Sequence, residues 1–162
     1  MAIYNYKIII SPVGELQLVA SDSGLFAVLV PKHFRIASDD LVENKDHHIL
    51  LKTEKQLSEY FAGKRKNFDI KLEMRGTVFQ INSWRQLQTI PYGETISYGE
   101  QATRVGDVKK ARAVGAANAR NPLLVIVPCH RVIGASGALV GFGGGLSMKQ
   151  HLLNLEKTVN NL

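Results

Sequence analysis

The hydrophobic pattern of this chain changes character near residue 75, and that change is the strongest constraint on its fold. Before it, Tyr4 to Ile10 is rich in β-branched and aromatic residues, and Pro12, Gly14 and Gly24 punctuate the next stretches. Leu16–Ala20 and Leu25–Val30 therefore read as further strands. Short strands with close turns favour an antiparallel sheet. Residues 38–48 are polar and read as a loop. Leu50, Leu57 and Phe61 share one helical face, Gly63 ends that helix, and 67–74 reads as a last strand.

After residue 75 the pattern is helical and its starts are marked. A capping box is a Ser or Thr cap followed three residues later by Glu or Gln. Thr77 with Gln80 opens a helix expected to bury Ile81, Trp84 and Leu87 and to stop before Pro91. Ser97 with Glu100 opens a short helix ending at Gly106. Asp107 caps the next, which runs to about Ala119, ahead of Asn121-Pro122. Ser147 with Gln150 opens the last, carrying Leu152, Leu153 and Leu155. The domain boundary is placed between 1–75 and 76–162.

The two helices 98–105 and 108–119, joined across Gly106-Asp107, resemble a helix-turn-helix. The segment Arg85–Arg131 carries seven Lys and Arg against three acids, within a chain of formal charge +6. A charge run is commonly just a solvated face. Here it gathers on a candidate reading helix, which points to a polyanionic partner. The small residues Ala111, Ala113, Gly115, Ala116 and Ala117 would let that helix approach a partner closely, or would simply pack tightly. No apolar run approaches the roughly 20 residues that span a membrane, so no membrane role is expected.

The chain holds one cysteine, which excludes an internal disulfide and a thiolate-rich zinc site. A lone cysteine is usually a small buried hydrophobe. Cys129 differs in its company: the apolar run Val125-Ile126-Val127-Pro128 delivers it beside His130 and Arg131. Cysteine reacts as thiolate, and a neighbouring base or cation supplies that form. Adjacent residues of an extended chain point to opposite sides, so adjacency alone does not pair His130 with Cys129.

Pro128-Cys129-His130-Arg131-Val132 resembles the active-site motif of the methylated-DNA–protein-cysteine methyltransferases (alkylguanine–DNA alkyltransferases). The likeness extends through Ile96-Ser97-Tyr98-Gly99-Glu100, Ala111-Arg112-Ala113-Val114-Gly115, Asn121-Pro122, Gly144-Gly145-Leu146, Lys149, Leu152-Leu153 and Glu156. It is tight over 77–157 and looser before, where Tyr60-Phe61-Ala62-Gly63 also fits. The resemblance implies an α+β fold: a ribonuclease H-like N-terminal unit with a small antiparallel sheet and a helix, and a winged-helix-like C-terminal unit with the helix-turn-helix. It implies stoichiometric, irreversible transfer of an alkyl group from O6 of guanine, and less so O4 of thymine, to Cys129.

By the same resemblance His130 takes the thiol proton through a water, Glu156 orients His130, and Tyr98 donates to N3 of the leaving base. Arg112 enters the space left by a flipped nucleotide, and the helix bearing Lys110, Ala111, Ala113 and Gly115 lies in the minor groove of duplex DNA. The backbone carbonyls of Cys129 and Val132 accept from the guanine amine. Asn121 ties the turn before the active-site segment. Phe142 stands where a tyrosine is common in the family, with the Gly143 N–H in reach of O6. Asn118 and Leu124 replace bulkier or more rigid pocket residues, so pocket width is open. No cofactor and no metal is implied. The expected protein is a monomer that can cluster on DNA, in the cytoplasm or, in a eukaryote, the nucleus. Three other readings are weaker: a non-catalytic sensor of alkyl lesions, a helix-turn-helix DNA-binding regulator, and a cysteine hydrolase.

Overall fold

The computed structural model describes residues 3–31, 40–137, 139 and 142–162. The chain divides into two compact units, Met1–Met74 and Arg75–Leu162.

The first unit is a four-stranded sheet of order β3-β2-β1-β4, made of β1 (Tyr4–Ser11), β2 (Gly14–Ser21), β3 (Gly24–Leu29) and β4 (Leu41–Glu43). β1, β2 and β3 form an antiparallel meander. Its first turn closes through Ser11, whose hydroxyl donates to the Gly14 carbonyl at 2.8 Å and accepts from the Val13 N–H at 3.2 Å. The central strand is buried on both faces. Leu16, Leu18 and Ala20 alternate with Val19, and Val19 packs with Ala27 and Leu29. Helix α1 (His48–Phe61) buries Leu50, Leu57 and Tyr60 and lies against β1, β2 and β3.

Two sequence expectations fail here. Leu41–Glu43, read as loop, forms a strand, and it pairs with β1 in parallel, so the sheet is mixed; residues 38 and 39 of that loop lie outside the described residues. The last strand expected over 67–74 is reduced to one bridge, Leu25 to Leu72. Two backbone bonds of 2.8 Å flank it, from Leu25 N–H to the Lys71 carbonyl and from Glu73 N–H to the Leu25 carbonyl.

The second unit is helical: α2 (Val78–Leu87), α3 (Tyr98–Val105), α4 (Ala111–Ala119) and α5 (Leu146–Asn160), with the short parallel pair β5 (Ile96–Ser97) and β6 (Val132–Ile133). The Thr77–Gln80 capping box is complete in both directions. Trp84 and Leu87 are buried as expected, whereas Ile81 is only half-buried. Ser97 caps α3 through the Glu100 N–H, but the Glu100 carboxylate turns instead to Arg104, one helical turn on, at 3.0 Å. α3 ends at Gly106, whose φ of 124° favours glycine. Asp107 caps a single 3-10 turn, Val108–Lys110, and α4 begins only after it. The expected Ser147 cap is not used. α5 begins at Leu146, after Gly145 with φ 93° and no side-chain cap. No described helix is long and apolar enough to cross a membrane.

Candidate active site

The segment that delivers Cys129 is wound tighter than a strand. Ile126 N–H reaches the Leu124 carbonyl at 2.8 Å, a three-residue turn centred on Val125, whose φ of 70° is rare for a β-branched residue. Cys129 N–H reaches the Val127 carbonyl at 2.8 Å across Pro128 (φ −82°, ψ 65°), the commoner inverse form of the same turn. Asn121 holds the two together. Its amide donates to the Val127 carbonyl at 2.9 Å and its oxygen accepts from Leu123 N–H at 2.9 Å. Cys129–Arg131 then makes a 3-10 turn leading into β6. The pairing of β5 with β6 sets Ile96 opposite Val132 and Ser97 opposite Ile133, so Tyr98 starts α3 beside this turn.

Cys129 is 6% exposed, His130 is fully buried and Glu156 is 1% exposed. His130 Nε2 lies 2.7 Å from a Glu156 carboxylate oxygen. The carboxylate can only accept, so the hydrogen sits on Nε2 and Nδ1 carries the lone pair. Among the described residues no protein group bonds Nδ1, and no hydrogen bond joins it to the Cys129 sulfur. Burial, only partly opposed by Glu156, pushes the imidazole below its ordinary value and keeps it neutral. Burial also pushes the Cys129 thiol up, while Asn121 and the Lys149 charge work to lower it. The resting pair is thus a thiol near a neutral imidazole. Burial would raise the Glu156 carboxyl, but the hydrogen bonds and charge of His130 and Arg131 outweigh it and hold the group far below the usual carboxylate range.

Arg131 and Lys149 complete the cluster, and sequence reasoning gives neither a role there. Arg131, counted above with the basic surface, is instead buried. It donates through Nε (2.8 Å) and Nη2 (3.0 Å) to Glu156 and through Nη1 to the Ile90 carbonyl at 2.7 Å, with its guanidinium 5.6 Å from the Tyr92 ring centre. Glu156 also accepts from Gly93 N–H at 3.1 Å. Lys149, fully buried, donates to the Val132 carbonyl at 2.7 Å and lies 6.0 Å from the Tyr98 ring centre. A signal for the two buried charged residues of α5 was present: Lys149, Leu152 and Glu156 are spaced three and four apart, on one buried helical face.

Several residues read as substrate contacts have other partners. The Val132 carbonyl already accepts from Lys149, and the Cys129 carbonyl from Val132 N–H, so each has only its second lone pair for a ligand. Both polar ends of Asn118 are bound by Gln101, at 2.7 and 3.0 Å, leaving one N–H and one oxygen lone pair outside that pairing. Tyr98 is half-buried, and a Cβ placed on Gly115 of α4 would lie 3.7 Å from its ring. Burial first, then Cys129, raises its hydroxyl and keeps it protonated. Lys110, Arg112 and Ala113 are exposed on α4 or its lead-in, with Ala111 half-buried, and Lys110 lies over the Phe79 ring at 5.4 Å. Phe142 and Gly143 are half-buried, and a side chain at Gly143 would face the Ala119 carbonyl and Leu124. Among the described residues no group of His, Cys, Asp and Glu is arranged to hold a metal.

Fold and site define an α+β protein with a helix-turn-helix and a buried Cys–His–Glu cluster. Family models described as "6-O-methylguanine DNA methyltransferase, ribonuclease-like domain" and "6-O-methylguanine DNA methyltransferase, DNA binding domain" match residues 4–74 and 78–158. The chain belongs to the 6-O-methylguanine DNA methyltransferase family. It is 48% identical to the methylated-DNA–protein-cysteine methyltransferase of Mycolicibacterium paratuberculosis, covering 94% of this chain and 92% of that one. It is also 48% identical to the protein of that name from Methanosarcina mazei, over 97% and 98%. The crystal structure of Mycobacterium tuberculosis OGT in complex with DNA superposes with a TM-score of 0.91 at 45% identity, covering 96% of this chain and 94% of that one.

Proposed function

We propose that this protein repairs DNA by moving an alkyl group, methyl above all, from O6 of guanine to the sulfur of Cys129, once per molecule. The observation that carries the reading is the burial together of the Cys129 thiol and a neutral imidazole that is hydrogen-bonded to an ionised Glu156 and has its lone pair on Nδ1. At rest the thiol keeps its proton and the neutral imidazole keeps a free lone pair, so a general base is in place to take that proton when substrate arrives. His130 takes the thiol proton at Nδ1, through a water, and the resulting imidazolium is stabilised by Glu156. The thiolate attacks the alkyl carbon, a C–S bond forms, and the bond from that carbon to O6 breaks with its electron pair moving into the purine. Tyr98, kept protonated, donates to N3, where part of that charge settles. The proton lost by the thiol finishes on the guanine ring, so a thiol and an O6-alkylguanine become a thioether and guanine. A thioether has no easy leaving route, and the protein is spent.

The target atom lies inside a duplex, so the nucleotide has to leave the stack, at a cost of a few kcal/mol that a weakly paired lesion reduces. Helix α4 enters the minor groove by its first turns, which carry Ala111, Ala113 and Gly115, with Lys110 near a phosphate and Arg112 in the vacated space. The minor groove distinguishes base pairs poorly, which suits a protein that acts wherever damage falls. The second unit carries binding and chemistry, the first supports it, and the protein acts as a monomer. Transfer from an O6-methylguanine oligonucleotide carrying a labelled methyl should plateau at one equivalent per protein. Sustained turnover would contradict the reading.

A further inference from the structure

The polar side chains between the helices of the second unit form a closed circuit that the chemistry above does not use. Gln101 on α3 is fully buried. Its amide nitrogen donates to the Ser83 carbonyl on α2 at 3.2 Å and to the Asn118 side-chain oxygen on α4 at 3.0 Å, and its oxygen accepts from the Asn118 amide at 2.7 Å. Trp84, the residue after Ser83, donates to the carbonyl of Ala117, the residue before Asn118, at 2.9 Å. Four hydrogen bonds therefore bind α2, α3 and α4 to one another at a single level. One turn away lies a second level. Tyr98 precedes Gln101 by three residues, Gly115 precedes Asn118 by three, and a Cβ on Gly115 would meet the Tyr98 ring at 3.7 Å, so the two face each other. Residues three apart share a helix face, so Tyr98–Gly115 and Gln101–Asn118 are successive rungs of one α3–α4 contact.

The two rungs differ in what they can enforce. A ring against a glycine can slide. A reciprocal amide pair fixes distance and direction at once, because each donor faces one acceptor, and burial makes any lost bond costly. We propose that Gln101 is the positioning residue for Tyr98: with Asn118 and the Ser83 carbonyl it sets the register of α3 on α4, and so the place of the Tyr98 hydroxyl. Asn118 then serves the site from behind its wall and not by touching the base. This rests on the transfer reading above.

The test is a double-mutant cycle on single-turnover transfer, with rates extrapolated to saturating methylated DNA. Gln101→Met keeps the shape and removes all three bonds. The Gln101→Met/Asn118→Leu pair removes both side-chain partners and should fold even if the single variant does not, since replacing both members leaves no orphan between them. Both are expected to lower the limiting rate about tenfold or more while half-saturation by DNA stays unchanged. In a Tyr98→Phe background, where no hydroxyl remains to be positioned, the same changes should add no further loss. An unchanged limiting rate, or an equal loss with and without the Tyr98 hydroxyl, overturns the proposal and leaves the repair reading standing. A wild-type protein that takes up no methyl removes the repair reading, and this one with it.

Discussion

At the residue scale the site depends on the charge state of three side chains. The neutral imidazole has a kinetic consequence. With His130 held below its ordinary value of 6.5, the base stays competent as pH falls through 6.5, and the transfer rate should hold level there before dropping at lower pH. Single-turnover rates across the acid range check this, and an inflection at or above 6.5 contradicts it. Stability follows the same sign. Both His130 and Glu156 bind a proton more readily unfolded than folded, so their contribution is complete above their unfolded values. It is lost as pH falls, first below about 6.5 for His130 and then below about 4.5 for Glu156. Glu156→Gln strands the buried Arg131 guanidinium without its counter-charge, for a loss of about 3–5 kcal/mol. Urea unfolding measures it, and a loss under about 1 kcal/mol would show the pair to be dispensable. The roles given to Cys129, His130 and Glu156 came from a family motif. Arg131 escaped because a cation next to a cysteine in sequence reads equally well as surface charge, and Lys149 because its place on the buried face of α5 was not read from its spacing to Leu152 and Glu156. Only tertiary packing shows that Arg131 points inward.

At the element scale, patterning located the helices better than it located their caps. A Ser or Thr three residues before a Glu or Gln is a local signal, and whether the bonds form depends on where the chain enters. Thr77–Gln80 forms both bonds, Ser97–Glu100 forms one because Arg104 competes for the carboxylate, and Ser147 lies a residue inside its helix, past a glycine. The contrast is measurable. Thr77→Ala should cost about 1 kcal/mol, while Ser147→Ala, at an exposed helical position, should change stability by less than about half of that. Equal losses in denaturant titrations would show that cap assignment from these contacts is wrong. β4 was missed for a related reason: three residues, Leu41–Glu43, are too few for alternation to show, and the parallel partner Tyr4–Tyr6 lies far away in sequence. The tight turns at Val125 and Pro128 leave little trace in composition beyond the proline, since a valine at positive φ contradicts its own propensity.

At the scale of the whole molecule, the charge that matters for DNA is the charge left outside. Arg131 and Lys149 are buried, whereas Arg104, Lys109, Lys110, Arg112 and Arg120 are exposed on the helix-turn-helix. Affinity for undamaged DNA should be modest, with a Kd on the order of 10⁻⁴–10⁻⁶ M at physiological salt, and should weaken as salt rises. Arg112→Ala should reduce capture of the lesion more than this background affinity, if its task is to fill the space a flipped base leaves. Gel shifts on matched lesion and undamaged duplexes compare the two, and equal losses would reduce Arg112 to a phosphate contact.

The central claim concerns one atom, and intact-protein mass spectrometry followed by peptide mapping addresses it. After incubation with a duplex holding a single O6-methylguanine, the protein should gain one methyl group, located on Cys129, while Cys129→Ala gains none and still binds the duplex. A methyl found on any other residue, or full repair of the lesion by Cys129→Ala, would contradict the account.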